Sequence, residues 1–145
     1  MSVTTAMTTS FKQELLQGLH DLDGHTLKLA LIKSGESGTF GAASTNFSNI
    51  TDSSDEASGT GYSSGGATLG SVAITTSGTT AFVDFADVSF SNSTISASGA
   101  MIYNSSASNR AIAVISFGGT VASTAGTFTV TMPTPDASNA IIRLA

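Results

Sequence analysis

Two histidines, His20 and His25, stand five positions apart around a turn, and imidazole is the side chain best suited to moving protons near neutral pH. No cysteine accompanies them and HExxH spacing is absent, so zinc is not implied. They read as surface or helix-end residues, where an imidazole also suits the helix dipole. Asp84 and Asp87 in VDFAD offer the paired carboxylates that acid–base chemistry uses. Alternation of the neighbouring residues sets Asp84 on the solvent face of a strand and Asp87 in the turn that follows, which separates the pair. Asp52, Asp55 and Glu56 supply oxygen ligands for a hard cation. Their spacing misses the EF-hand pattern, and the expectation is a solvated acidic loop. The run GTGYSSGG, Gly59 to Gly66, invites comparison with a phosphate cradle, but its spacing is not GxGxxG, no Lys-Ser or Lys-Thr follows, and a strand comes next. The many serines lack a His and an acid in any nucleophile motif. The residues therefore predict no catalytic, cofactor-binding or metal-ligating set, and a protein that is not an enzyme.

Charge narrows the partners. Five Lys and Arg face ten Asp and Glu, for a net charge of −5, and the basic residues are scattered. Phosphate backbones demand clustered cations, so neither direct nucleic-acid binding nor an anionic membrane surface is expected. No run reaches the roughly 20 apolar residues of a spanning helix. MSVTTAMTTS has neither the basic start nor the apolar stretch of an export signal.

The elements that could position a binding surface follow from periodicity. Residues 1–10 are polar and without period, and read as a flexible N-terminal arm. Ser10 and Gln13 fit a capping box, and Phe11, Leu15, Leu19 and Leu22 form one stripe, so a helix is expected over 11–22 with Gly18 as a weak interior position. Leu27, Leu29 and Leu31 then alternate with Lys28 and Ala30 as a strand. Residues 34–66 are glycine-rich and read as a long functional or mobile loop. From 67 onward strands are expected at 67–76, 79–90, 94–103, 110–117, 126–132 and 139–144, with turns at Ser77-Gly78, Asn104–Asn109, Gly118-Gly119 and the Pro133–Pro135 segment. Gly99 inside TISASGAMIY marks a bulge or a close backbone approach. The fold class is all-β, a mainly antiparallel, jelly-roll-like sandwich at 11–145, with one short N-terminal α-helix and one core.

These blocks together resemble small virion structural proteins of tailed bacteriophages. The likeness is carried by FKQELLQGLHDL, HTLKLALIKS, EASGTGYSSGGATL, GTTAFVDFADVSFSNSTISASGAMIYNSS, RAIAVISFGG and TVTMPTPDASNAIIRLA. It implies a capsid decoration or cement protein: a homotrimer on the outer capsid surface, bound to the major capsid protein and made in the bacterial host cytoplasm. A receptor- or carbohydrate-binding module of a tail or head fibre is the alternative, and it calls for exposed aromatics. Loops and termini are where a rigid sandwich meets partners, which makes Ser2, Val3, Thr4, Thr5, Phe40, Phe47 and Tyr62 the partner-binding candidates.

The 40% hydrophobic content leans on alanine, which buries little area, so a lean core is expected to be completed by other copies of the chain. Light scattering at micromolar concentration should return a mass above the 14.5 kDa of one chain. A stable monomer would contradict this.

Overall fold

A computed structural model describes residues 2–145. Its first helix, α1 (Thr9–Leu16), is started by Thr8, whose extended backbone and side-chain oxygen accept the turn: the Phe11 amide donates to Thr8 Oγ1 at 3.1 Å. Thr8 is buried because its hydroxyl also donates to the Ala111 carbonyl at 3.2 Å. Ser10, expected as the cap, lies inside the first turn, since only Thr8 is anchored to the sheet. The helix stops at Gln17 because Gly18 takes φ +76°. The Leu19 amide then reaches the Glu14 carbonyl at 3.0 Å and the Gly18 amide reaches Leu15 at 3.2 Å, a Schellman closure. Gly18 is thus the terminator, and the helix is shorter than the expected 11–22.

The strands in chain order are β1 (Ser2–Val3), β2 (Ala6–Met7), β3 (Leu27–Lys33), β4 (Thr39–Phe40), β5 (Ala67–Thr68), β6 (Ala73–Ser77), β7 (Thr80–Asp84), β8 (Val88–Asn104), β9 (Arg110–Val130) and β10 (Arg143–Leu144), with a second short helix, α2 (Ser48–Asp52). Strand accounts for 47% of residues and helix for 9%, so the chain is mostly β. An antiparallel five-stranded sheet runs β2-β9-β8-β3-β5, a three-stranded one runs β10-β7-β6, and β1 pairs in parallel with β4.

Two expected boundaries dissolve, the first because residues 88–90 run on into 94–103 as β8. The strands at 110–117 and 126–132 are one, β9, and Gly118-Gly119 is not a turn between strands. Ser116 pairs with Gly99 and Val121 with Ala97, so residues 117–120 bulge out opposite Ser98. Conversely, 67–76 is divided by Gly70 and by Ser71, which has φ +52°, and 79–90 breaks between Asp84 and Val88. The Ser77-Gly78 hairpin is present as expected, with Gly78 at φ +59° in a two-residue loop between paired Ser77 and Thr80.

Both faces of the large sheet are covered, so there are two clusters of buried side chains. Leu29, Leu31, Ile102 and Ile112 point to one, where Phe11 of α1 and Val83, Phe85 and Ile142 close over them. Ile32, Met101 and Val114 point to the other, beneath Phe40, Ile50 and half-buried Val3 and Phe47. Burial on both sides explains why LALI in β3 is uninterruptedly apolar. Residues 34–56, expected as loop, fold over the second face. Residues 2–7, expected as an arm outside the domain, are hydrogen-bonded into it through β1 and β2.

Gly99 serves both expected purposes. It sits at a register shift, and a Cβ there would lie 2.5 Å from the Ile115 carbonyl oxygen and 2.6 Å from Val3 Cγ1. Gly99→Ala should therefore lower stability by about 1–3 kcal/mol through overpacking, seen as a lower urea midpoint. An unchanged midpoint would refute the close approach.

Candidate partner-binding surface

The structure gathers most of the candidate residues on the second face of the large sheet. The Ser2 amide donates to the Gly38 carbonyl at 3.1 Å and the Thr4 amide to Phe40 at 2.9 Å. Thr5 Oγ1 accepts the Ser116 amide at 2.9 Å. Val3 packs with Phe40, which is only 2% exposed and belongs to the core. Phe47 stacks on Tyr103 with centroids 4.5 Å apart and planes at 12°. These contacts spend Val3, Phe40 and much of Phe47 on internal packing, leaving Ser2, Thr4 and Thr5 exposed.

Tyr62 lies apart from them, against the first cluster. Its hydroxyl accepts the Leu31 amide at 3.0 Å and donates to Glu56 Oε1 at 2.9 Å. Burial pushes its hydroxyl far above the ordinary phenol range, and the Glu56 charge adds to the shift. Tyr103, pushed up to about 12 by burial and then by Glu56, donates to the Gly65 carbonyl at 2.6 Å. Both tyrosines therefore act as internal struts for the loop 56–66.

The acidic trio diverges, because each member serves a different part of the chain. Asp52 is exposed at the end of α2. Glu56 turns toward Tyr62, the Ser64 hydroxyl and the Gly65 amide. Asp55 is fully buried, where it accepts the Ser37 amide at 2.9 Å and the Gly38 amide at 2.8 Å, with Lys33 Nζ at 3.3 Å. Burial alone would raise its carboxyl, but the Ser37 and Gly38 amides and Lys33 outweigh that and hold it far below the usual carboxylate range. Among the described residues no three His, Cys, Asp or Glu side chains come together as a metal site, and no helix is long and apolar enough to cross a membrane. Asp84 pairs across to Ala73, while Asp87 accepts the Met132 amide at 2.8 Å. His20, expected as a surface or helix-end residue, is buried, its Nε2 3.1 Å from Glu14 Oε1.

A different feature forms an exposed contact surface. The outer strands β1, β2, β4, β5 and β10 have two residues each, whereas β6, the outer strand of the three-stranded sheet, has five, all exposed. Its sequence AITTS carries no charge and no proline, the residues that ordinarily guard a sheet edge. Ile74 is 50% exposed and pairs with Val83. Beside it runs an apolar groove of about 230 Å³, lined by Leu15, Leu22, Ile74, Phe82, Ile142 and Leu144. Leu144 is 49% exposed, and Leu16 at the end of α1 is 90% exposed. The hairpin was readable from VAITTSGTTAFVDF, but the local pattern does not say which of its strands lies outermost.

The chain matches no protein-family model, no curated protein and no solved structure.

Asp55→Asn should cost about 2–4 kcal/mol at neutral pH, since an amide cannot replace a carboxylate that accepts several donors. Because the folded carboxyl is depressed, its contribution is whole above the unfolded carboxyl range near pH 4 and is lost as pH falls below about that value. Thermal melts of the two chains should therefore converge in acid. A constant gap from neutral pH down to strong acid would contradict the assignment.

Proposed function

We propose that this chain is a structural protein of a tailed-bacteriophage particle, one that decorates and stabilises the capsid by binding the major capsid protein lattice. In this reading its two antiparallel sheets form a jelly-roll-like sandwich, and copies associate as a trimer on the outer surface. One observation carries the adhesive part: the five-residue uncharged edge β6 beside an apolar groove. A bare edge offers unpaired backbone donors and acceptors, and a neighbouring groove offers apolar burial, so together they suit many modest contacts with a protein surface.

The word capsid rests on the sequence resemblance, from FKQELLQGLHDL through TVTMPTPDASNAIIRLA. Net negative charge suits an outer face better than one packed on DNA. The fibre-module alternative has less support, because the aromatics a sugar would stack on are occupied: Tyr62 and Tyr103 by internal hydrogen bonds, Phe40 by burial.

Purified protein should bind saturably to capsids of its phage stripped of it, and cryo-imaging of native particles should find it on the outer shell. Ile74→Lys should weaken that binding at least about tenfold while leaving the melting temperature within about 2 °C, since a half-exposed edge position tolerates a charge. No capsid binding, together with hits on a glycan array, would replace this reading with the fibre module.

A further inference from the structure

We infer that Asn104, His20 and His25 form an acid-sensitive latch at the tip of the β8–β9 hairpin. Asn104 closes β8, and its side chain is fully buried. Its Oδ1 accepts the Ser106 amide at 3.0 Å, which fixes the direction of the side-chain amide. The NH₂ group therefore faces His20 Nδ1 at 3.0 Å and His25 Nδ1 at 2.9 Å. An amide NH₂ only donates, so both Nδ1 atoms must present lone pairs. His25 Nδ1 also receives the Asp21 amide at 3.2 Å. The ring proton of each histidine is thereby assigned to Nε2, and in His20 that proton goes to Glu14 Oε1 at 3.1 Å.

Adding a proton to either Nδ1 would turn an acceptor into a donor facing other donors. The surrounding charges separate the two rings. His20 has Glu14 of α1 bonded to it, and Glu14 is also held by Arg110 Nε of β9 at 3.3 Å. A charged His20 would recover part of its loss through that carboxylate. For His25, the carboxylates of its own turn are Asp21, whose Oδ1 is taken by the Gly24 amide at 3.1 Å, and exposed Asp23. Neither is hydrogen-bonded to its ring. Protonated His25 would oppose the Asn104 and Asp21 donors together with no compensating acceptor, which makes it the acid-sensitive member.

The latch joins separate parts of the chain. Beside it, the Ser105 amide donates to the Thr26 carbonyl at 3.0 Å and the Thr26 amide to Ser106 Oγ at 2.9 Å. On its other side the Phe47 amide reaches the Asn109 carbonyl at 2.9 Å, and Asn46 Nδ2 reaches Ser108 at 2.9 Å. Acidification would free the tip first from the 20–26 turn. This inference stands independently of the capsid reading.

The test is amide hydrogen exchange at Ser106, corrected for intrinsic pH dependence, between about pH 7.5 and about pH 5, where imidazoles gain a proton. Protection should fall about tenfold more in the native chain than in His25→Gln, which keeps an acceptor that does not titrate. Asn104→Asp should reverse the sign, with more protection in acid, because a carboxylate accepts what protonated rings donate. An equal response in native and His25→Gln chains would overturn the latch. So would ring nitrogen NMR of the native chain placing the proton on Nδ1 near neutral pH, a measurement that holds even if a variant fails to fold.

Discussion

One antiparallel ladder bears the rest of this protein. β8 and β9, 17 and 21 residues long, run side by side from Asn104 and Arg110 out to Val88 and Val130. Their near halves are buried on both faces, and three elements attach there: β3 along one flank, β2 along the other, α1 through Thr8 to Ala111. Small side chains make this geometry possible. Ala97, Gly99, Ala100, Ala111 and Ala113 let covering layers come close, and in return each layer brings the large side chains the ladder lacks. Phe11 and Phe85 arrive on one face, Phe40 and Ile50 on the other.

The glycine-rich stretch that covers the second face is held by polar contacts as much as by burial. Asp55 and Glu56 are adjacent but look in opposite directions, one gathering the amides of residues 37 and 38, the other gathering Tyr62, Ser64 and Gly65. Among the described residues no buried side-chain nitrogen or oxygen lacks a hydrogen-bond partner. Loops tied down by such contacts suit the proposed role of contact with a shell.

Where the sequence was informative, the determinants were local. The Ser77-Gly78 hairpin, the alternating leucines of β3 and the demand at Gly99 depend on a few neighbouring residues, and the structure bears them out. Where it was not, the deciding partner lay far along the chain. Thr8 outcompetes Ser10 as cap because of Ala111, more than a hundred positions away. β9 continues through Gly118-Gly119 because β8 supplies a partner on both sides of the bulge. The acidic trio looked like one cluster because spacing does not reveal direction. His20 looked exposed because its partners, Asn104 and Glu14, converge only after the hairpin has closed. Gly18 is the exception: its determinant is local, yet the leucine stripe continuing past it made it read as a weak interior position of a longer helix.

The placement of β2 sets an order of events during synthesis. Its two residues, Ala6 and Met7, pair with Val114 and Ala113, so they must wait for more than a hundred further residues before their sheet position exists. The β6–β7 hairpin can close on its own, and β3 can meet β8 once residue 104 has emerged, but Thr8 has no Ala111 carbonyl to hold until β9 begins. Contacts of such long sequence separation form late and slowly. Residues 6–8 are therefore a clasp that closes only on β9, and nascent chains would reach protease resistance only after β9 has been made.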